Sequence, residues 1–147
     1  MKIWAMALCA SMACQVASAQ PRPLPTTPDE HYALGRRFAE CSARVTFVAA
    51  VAQGAGLTDT AKLAEGVARG WKVAGTMILV DGLAASRQAQ TEEVFDTLVA
   101  NKLDELRAWR ELNAAEANAR TRAEFDAECQ PWADTQKTII ELMRRGG

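Results

Sequence analysis

The chain has a single histidine in 147 residues, His31, and it lies beside Asp29 and Glu30 in one turn. No His-x-x-x-His, Glu-x-x-His or Cys-x-x-Cys accompanies it, so convergent metal ligands are lacking and no metal is expected. Without Cys-x-x-Cys-His there is no route to covalently attached haem, and no glycine-rich loop offers a phosphate cradle. A Ser-His-Asp set cannot be assembled around one imidazole flanked by two acids. No cofactor and no enzymatic role are expected. Charge of one sign is also lacking: formal net charge is −1. Arg36, Arg37, Arg44, Lys62, Arg69, Lys72 and Arg87 alternate with acids and form no basic stripe, so nucleic acid is not an expected partner.

Proline is nearly confined to one end. Of five prolines, Pro21, Pro23, Pro25 and Pro28 lie together and only Pro131 follows. Between and beyond them Ala, Leu, Arg and Glu dominate, and no stretch alternates apolar with polar residues for long. Strands are thereby disfavoured and an all-α domain is expected.

Long apolar runs are restricted to the N-terminus. Lys2 precedes an uncharged run from Ile3 to Ala17, and Ala17-Ser18-Ala19 fits the small-x-small rule for signal peptidase. Residues 1–19 read as a cleaved signal peptide, with export to the periplasm or beyond and no stable membrane insertion of the mature chain. A lipoprotein anchor is the competing reading, but neither Cys9 nor Cys14 has a convincing Leu-x-small-Cys approach. Cleavage after Ala19 removes both, leaving Cys41 and Cys129 in an oxidising compartment, where an even pair is most simply a disulfide. Residues 20–27, with proline at alternate positions, read as an extended arm.

The remaining residues, 28–147, read as one domain of four helices. Thr27-Pro28-Asp29-Glu30 is a capping box with proline at the first helical position. Helix 1 is expected from about residue 28 to 53, facing inward with Leu34, Phe38, Cys41, Val45, Val48 and Ala52. Helix 2, from about 58 to 85, is given the stripe Leu63, Val67, Gly70, Ala74, Met77 and Asp81. Helix 3 starts at Thr91-Glu92-Glu93 and runs to Asn113 with Phe95, Val99, Leu103, Leu106 and Trp109. Helix 4, from 115 to 145, carries Phe125, Cys129, Trp132, Gln136, Ile139 and Met143, and Pro131 should kink or split it. Short links predict an up-down-up-down four-helix bundle, in which helices 1 and 4 are antiparallel neighbours. Their midpoints fall near Cys41 and Cys129, so topology and cysteine pairing agree.

Three groups of residues stand out as candidate sites. Phe47 and Val51 on helix 1, with Leu79 and Leu83 on helix 2, fall off the inward stripes and form a possible partner surface. Asp81 follows an apolar run and is set opposite Tyr32, with Arg36 one turn along, as a possible buried polar site. Gly66, Gly70 and Ala74 form a small-residue ridge suited to close helix packing, against Trp109 or Trp132 or in a homodimer. The expected function is that of a small exported, disulfide-stabilised protein that binds another protein. Inhibitors or immunity proteins of periplasmic toxins and small chaperones have this format. The alternative is a carrier holding a small apolar ligand in the bundle core near Asp81, Trp71, Trp109 and Trp132.

Overall fold

A computed structural model describes residues 22–146. The signal-peptide assignment, with Cys9 and Cys14, lies outside the described residues. Within them the chain is an all-α four-helix bundle. Helix α1 spans Pro28–Gly54, α2 Thr58–Gly82 and α3 Thr91–Leu112, the last preceded by a short 3-10 segment, Ala85–Gln90. The fourth helix is broken. Its first part, α4, spans Ala114–Glu124; a π turn follows at Phe125–Cys129, a 3-10 turn at Gln130–Trp132, and then α5 at Ala133–Gly146.

The helix ends follow local chemistry. Thr27 caps α1 and Glu30 closes the box, with the N–H groups of Thr26 and Thr27 donating to Glu30 Oε2 at 2.8 and 3.1 Å. These bonds, that from Thr26 first, hold the Glu30 carboxyl below its usual range. Asn113 caps α4 by accepting from the Glu116 N–H at 3.1 Å. The turn between α1 and α2 uses Gly56 at φ 76°, a left-handed conformation that costs glycine little. Pro131 explains the break in the fourth helix. It has no N–H for the carbonyl four residues back, and the preceding turn widens so that Gln130 N–H reaches the Phe125 carbonyl.

Helix α1 is the centre of the bundle. Helices α2 and α3 and the π turn all pack on it, and Cys41, Ser42, Ala43, Arg44 and Val45 are buried without interruption. A helix with one solvent face cannot bury five residues in a row, so α1 is wrapped on all sides over this stretch. The pairing with α2 is close and antiparallel. A side-chain carbon placed on Gly35 would lie 2.8 Å from Leu79 Cβ, and one on Gly82 would strike the backbone of Tyr32. Phe38 packs edge-on against Trp71 at 5.0 Å, and Trp71 meets Phe125 at 6.4 Å in the same manner.

The bridge joins Cys41, in the middle of α1, to Cys129, at the end of the π turn, with the Cα atoms 5.7 Å apart. It ties the wrapped helix to the broken one at the break itself. Residues 22–27 have no regular structure, as proline spacing predicts, but the arm is not free. Arg22 N–H donates to Thr135 Oγ1 at 2.9 Å, and its guanidinium lies 4.9 Å above the Trp132 ring.

Several inward assignments need correction. On α2 the buried residues are Ala61, Ala64, Ala68, Trp71, Ala74, Gly75, Ile78 and Leu79, while Leu63 and Val67 face solvent. The helix is rotated from the expected stripe, so that Ala61, Ala64 and Ala68 turn inward together with Trp71 and Leu79, which meet Phe38 and Gly35 of α1. Val48 on α1 is likewise exposed. Leu79 and Leu83 are buried rather than on a partner surface, since Leu79 occupies the space left by Gly35. Phe47 is also buried and Val51 half-buried, because α4 stands over this part of α1.

Candidate functional site

The polar site expected around Asp81 is not buried. The register is close to the one expected, since Gly82 meets Tyr32, but the same rotation of α2 turns the Asp81 side chain outward, 66% exposed. Asp81 faces His31 instead, with Oδ2 3.8 Å from Nε2, while His31 Nδ1 lies 2.8 Å from the Thr27 carbonyl. Tyr32 is exposed, and Arg36 pairs with Glu40 at 3.0 Å. The ridge of Gly66, Gly70 and Ala74 is divided. Ala74 is in the core, Gly70 is covered by Gln136 and Ile140 of α5, and Gly66 has nothing above it. No indole sits on this ridge. Trp132 packs on Phe38, and Trp109 lies outside the core with the Arg120 guanidinium 3.6 Å over its ring. Trp71 and Phe38 are buried and packed edge-on against each other, and the exposed Asp81 does not join them.

The bundle instead opens elsewhere. Helix α4 packs on α3 and touches α1 only lightly, leaving a groove of about 840 Å³ between α4 and the C-terminal half of α1. Its floor is Phe47, Val51 and Phe125. Val48 and Val67, 44% and 48% exposed, form its apolar edge. The α4 wall adds Asn118 and Arg122, and Asp126 of the π turn stands one helical turn further. Thus Phe47 and Val51, expected on an outward patch, are brought together, but as the bottom of a groove. Leu79 and Leu83 do not join them.

At the inner end of this groove is a feature that pattern reading passed over. Arg44 is only 2% exposed and lines the groove. Its Nη2 donates to Glu128 Oε2 at 2.7 Å and to Glu124 Oε2 at 3.2 Å, and Nη1 lies 3.9 Å from Cys129 Sγ. Arg120 donates to the other Glu124 oxygen at 3.0 Å, and Lys102 stands 3.7 Å away. Burial acts to raise the Glu124 carboxyl, but the bonds from Arg120 and Arg44 and the charge of Lys102 outweigh it, and the carboxyl is held below its usual range. The network was reachable from the sequence once the bridge was drawn. Arg44 is one turn from Cys41, and Glu128 and Glu124 precede Cys129 on the facing helix, so joining the sulfurs brings the charges together.

Chemically, the groove offers an apolar floor with a polar wall, and the buried cation beside it is already neutralised by two carboxylates. No group of three or more His, Cys, Asp or Glu gathers at metal-binding distance among the described residues, and no described helix is long and apolar enough to cross a membrane. Compared with family models, curated proteins and solved structures, the chain matches none.

Proposed function

We propose that this chain is an exported, disulfide-stapled helical scaffold that binds another protein by taking an apolar segment of it into the groove between α1 and α4. The observation that carries this reading is the groove itself, where Val48 and Val67 stay half in water above a floor of Phe47, Val51 and Phe125. Apolar side chains gathered around a concavity gain free energy when a partner covers them, at roughly 25 cal/mol per Å² of apolar surface. One end of the groove is held by the Arg44 ion network, with the bridge next to it. Such a stiff rim costs little entropy on binding. Inhibition of, or immunity to, a periplasmic toxin and holding of an unfolded client are the roles that suit this format.

Binding is favoured over catalysis by the state of the acids. The Glu124 carboxyl is held below its usual range by Arg120, Arg44 and Lys102, the direction opposite to that of a general acid. A carrier role would use the same groove, whose volume of about 840 Å³ falls in the range of small-ligand sites.

The test is site-specific photocrosslinking in the producing cell, with the probe at Val48 or Asn118 and, as a control, at Tyr32 on the far end of α1. One defined protein adduct at the groove positions, absent at Tyr32 and lost on Val67→Asp, is the expected result. Equal adducts at all positions would overturn it. No protein adduct, with a small molecule released from the purified protein, would replace it with the carrier reading. Peptide mapping of the purified protein would find its N-terminus at Gln20 if export and cleavage are as proposed.

A further inference from the structure

A second surface points to self-association. Leu63 is 74% exposed, the most exposed large apolar side chain on α2, and Gly66, one turn along, leaves bare backbone beside it. Leu63 itself borders a second groove of about 500 Å³ between α2 and α5, lined also by Trp71, Gln136 and Ile140. A knob and a groove side by side on one surface suit a two-fold interface, because the knob of each copy can enter the groove of the other.

The charges along the two edges point to the same occupant. Lys62 and Glu65 flank Leu63 on α2, three residues apart, in the order plus then minus. Glu141 and Arg144 border the groove on α5, also three residues apart, in the order minus then plus. None of the four makes an ion pair among the described residues. Laid alongside in parallel, the two edges pair Lys62 with Glu141 and Glu65 with Arg144 at once. Like-signed edges would repel, and an unrelated partner has no reason to match this order. We infer that the protein forms a two-fold homodimer in which Leu63 of each copy enters the α2–α5 groove of the other. Lys62–Glu141 and Glu65–Arg144 pairs across the interface set the register. Exposed ion pairs contribute little affinity, so the buried leucine supplies most of it and the charges supply the fit. This groove shares Val67 and Phe125 with the α1–α4 groove, while Leu63, Glu141 and Arg144 border this one alone.

Sedimentation velocity on the purified exported protein, from micromolar to millimolar concentration, tests it. A reversible dimer is expected. Leu63→Glu, at a site exposed enough to leave the monomer folded by circular dichroism, should raise the dissociation constant about a hundredfold. Lys62→Glu alone should weaken the dimer several-fold, and Lys62→Glu combined with Glu141→Lys should restore it. A chain that stays monomeric throughout, or a dimer indifferent to Leu63→Glu, overturns the proposal. A charge swap that fails to restore the dimer overturns the two-fold arrangement.

Discussion

Helices α1 and α2 lie against each other over most of their length, yet they treat their apolar residues in opposite ways. Helix α1 buries nearly everything it carries between Cys41 and Val45, including a charged arginine, because other helices surround it. Helix α2 turns alanines and glycine toward α1 and leaves Leu63 and Val67 in water. Burial is therefore decided by place in the bundle more than by the hydrophobicity of the side chain. Small residues on α2 let the two backbones approach, and that closeness lets α1 be wrapped from its other sides. Leu63 and Val67, left outside, are then free to meet something else: Val67 borders both grooves and Leu63 the α2–α5 groove.

The contrast can be broken most severely at its anchor. The Cys41–Cys129 bridge closes a loop of 88 residues, and it fixes the one helix that others wrap to the one helix that is interrupted. Replacing both cysteines with alanine should lower the unfolding free energy by about 4–5 kcal/mol, by removing the restraint on the unfolded chain. Denaturant titration of the oxidised protein and the double variant measures the difference. An equal loss on adding reductant to the parent protein would assign the effect to the bond and not to the new side chains.

Next in size is Arg44, the charge that α1 can hold inside only because two acids arrive with the bridge. Arg44→Ala leaves Glu128 without its 2.7 Å partner and takes one of several cations from Glu124. The Glu128 side chain is 43% exposed and Glu124 keeps Arg120 and Lys102, so neither acid is left buried and bare, and the loss should be about 2 kcal/mol, below that of a fully buried pair. Arg44→Met, which fills the space without charge, should cost nearly as much as alanine if the unpaired acids dominate, and much less if packing does. Thermal unfolding of both variants separates the two causes.

Much of the fold was legible in the sequence because its signals are local. The Thr27–Glu30 box, the Gly54–Gly56 turn and Pro131 each mark an end or a break by their own bonding, wherever the helix later packs. The cysteine pairing was legible for another reason: of the four cysteines, Cys41 and Cys129 are the two outside the N-terminal apolar run, and each falls midway along one of two helices that the bundle makes neighbours. The rotation of α2 was not legible. Alanine and glycine carry little hydrophobic weight, so a stripe drawn through Leu63 and Val67 outweighs the true one through Ala61, Ala64 and Ala68. From that error followed the outward placement of Leu79 and the inward placement of Asp81. The groove needed the gap between α1 and α4, which arises where three helices fail to close, and no single stretch of sequence records it.

The close α1–α2 approach can be sharpened at Gly75. A methyl group there would strike Phe95 and Phe38, both fully buried and hemmed in by neighbours. Gly75→Ala should destabilise by about 1–3 kcal/mol despite alanine's better helix propensity, because overpacking outweighs the gain. Unchanged stability in denaturant would mean that α2 and α3 can separate without cost, contrary to the packing described.

A smaller effect belongs to pH. The Glu124 carboxyl is held below its usual value of 4.5 in the folded protein, so the folded state keeps the proton off more strongly than the unfolded chain does. It therefore contributes stability that is present above pH 4.5 and is lost as pH falls through the lower folded value. Glu124→Gln should be less stable than the parent at neutral pH, and the gap between them should close on acidification below that point. Unfolding midpoints from neutral pH downward follow the gap, and a gap that widens in acid would reverse the assigned sign.

The smallest effect has the opposite sign and tests the outer face of α2 alone. Gly66 lies mid-helix with no atom within 4 Å of the position a methyl group would take. Gly66→Ala gains helix propensity and meets no neighbour, so it should stabilise the monomer by about 0.5–1 kcal/mol. Measured at dilute concentration, this gain belongs to the isolated chain. Measured where chains associate, the same methyl stands beside Leu63 on the surface assigned to a second copy. A gain that shrinks as concentration rises would place another backbone against Gly66, and a gain independent of concentration would leave that face of α2 to solvent. The same substitution at Gly75 and at Gly66, one costly and one favourable, then measures on a single helix how much of its behaviour is propensity and how much is the company on each side.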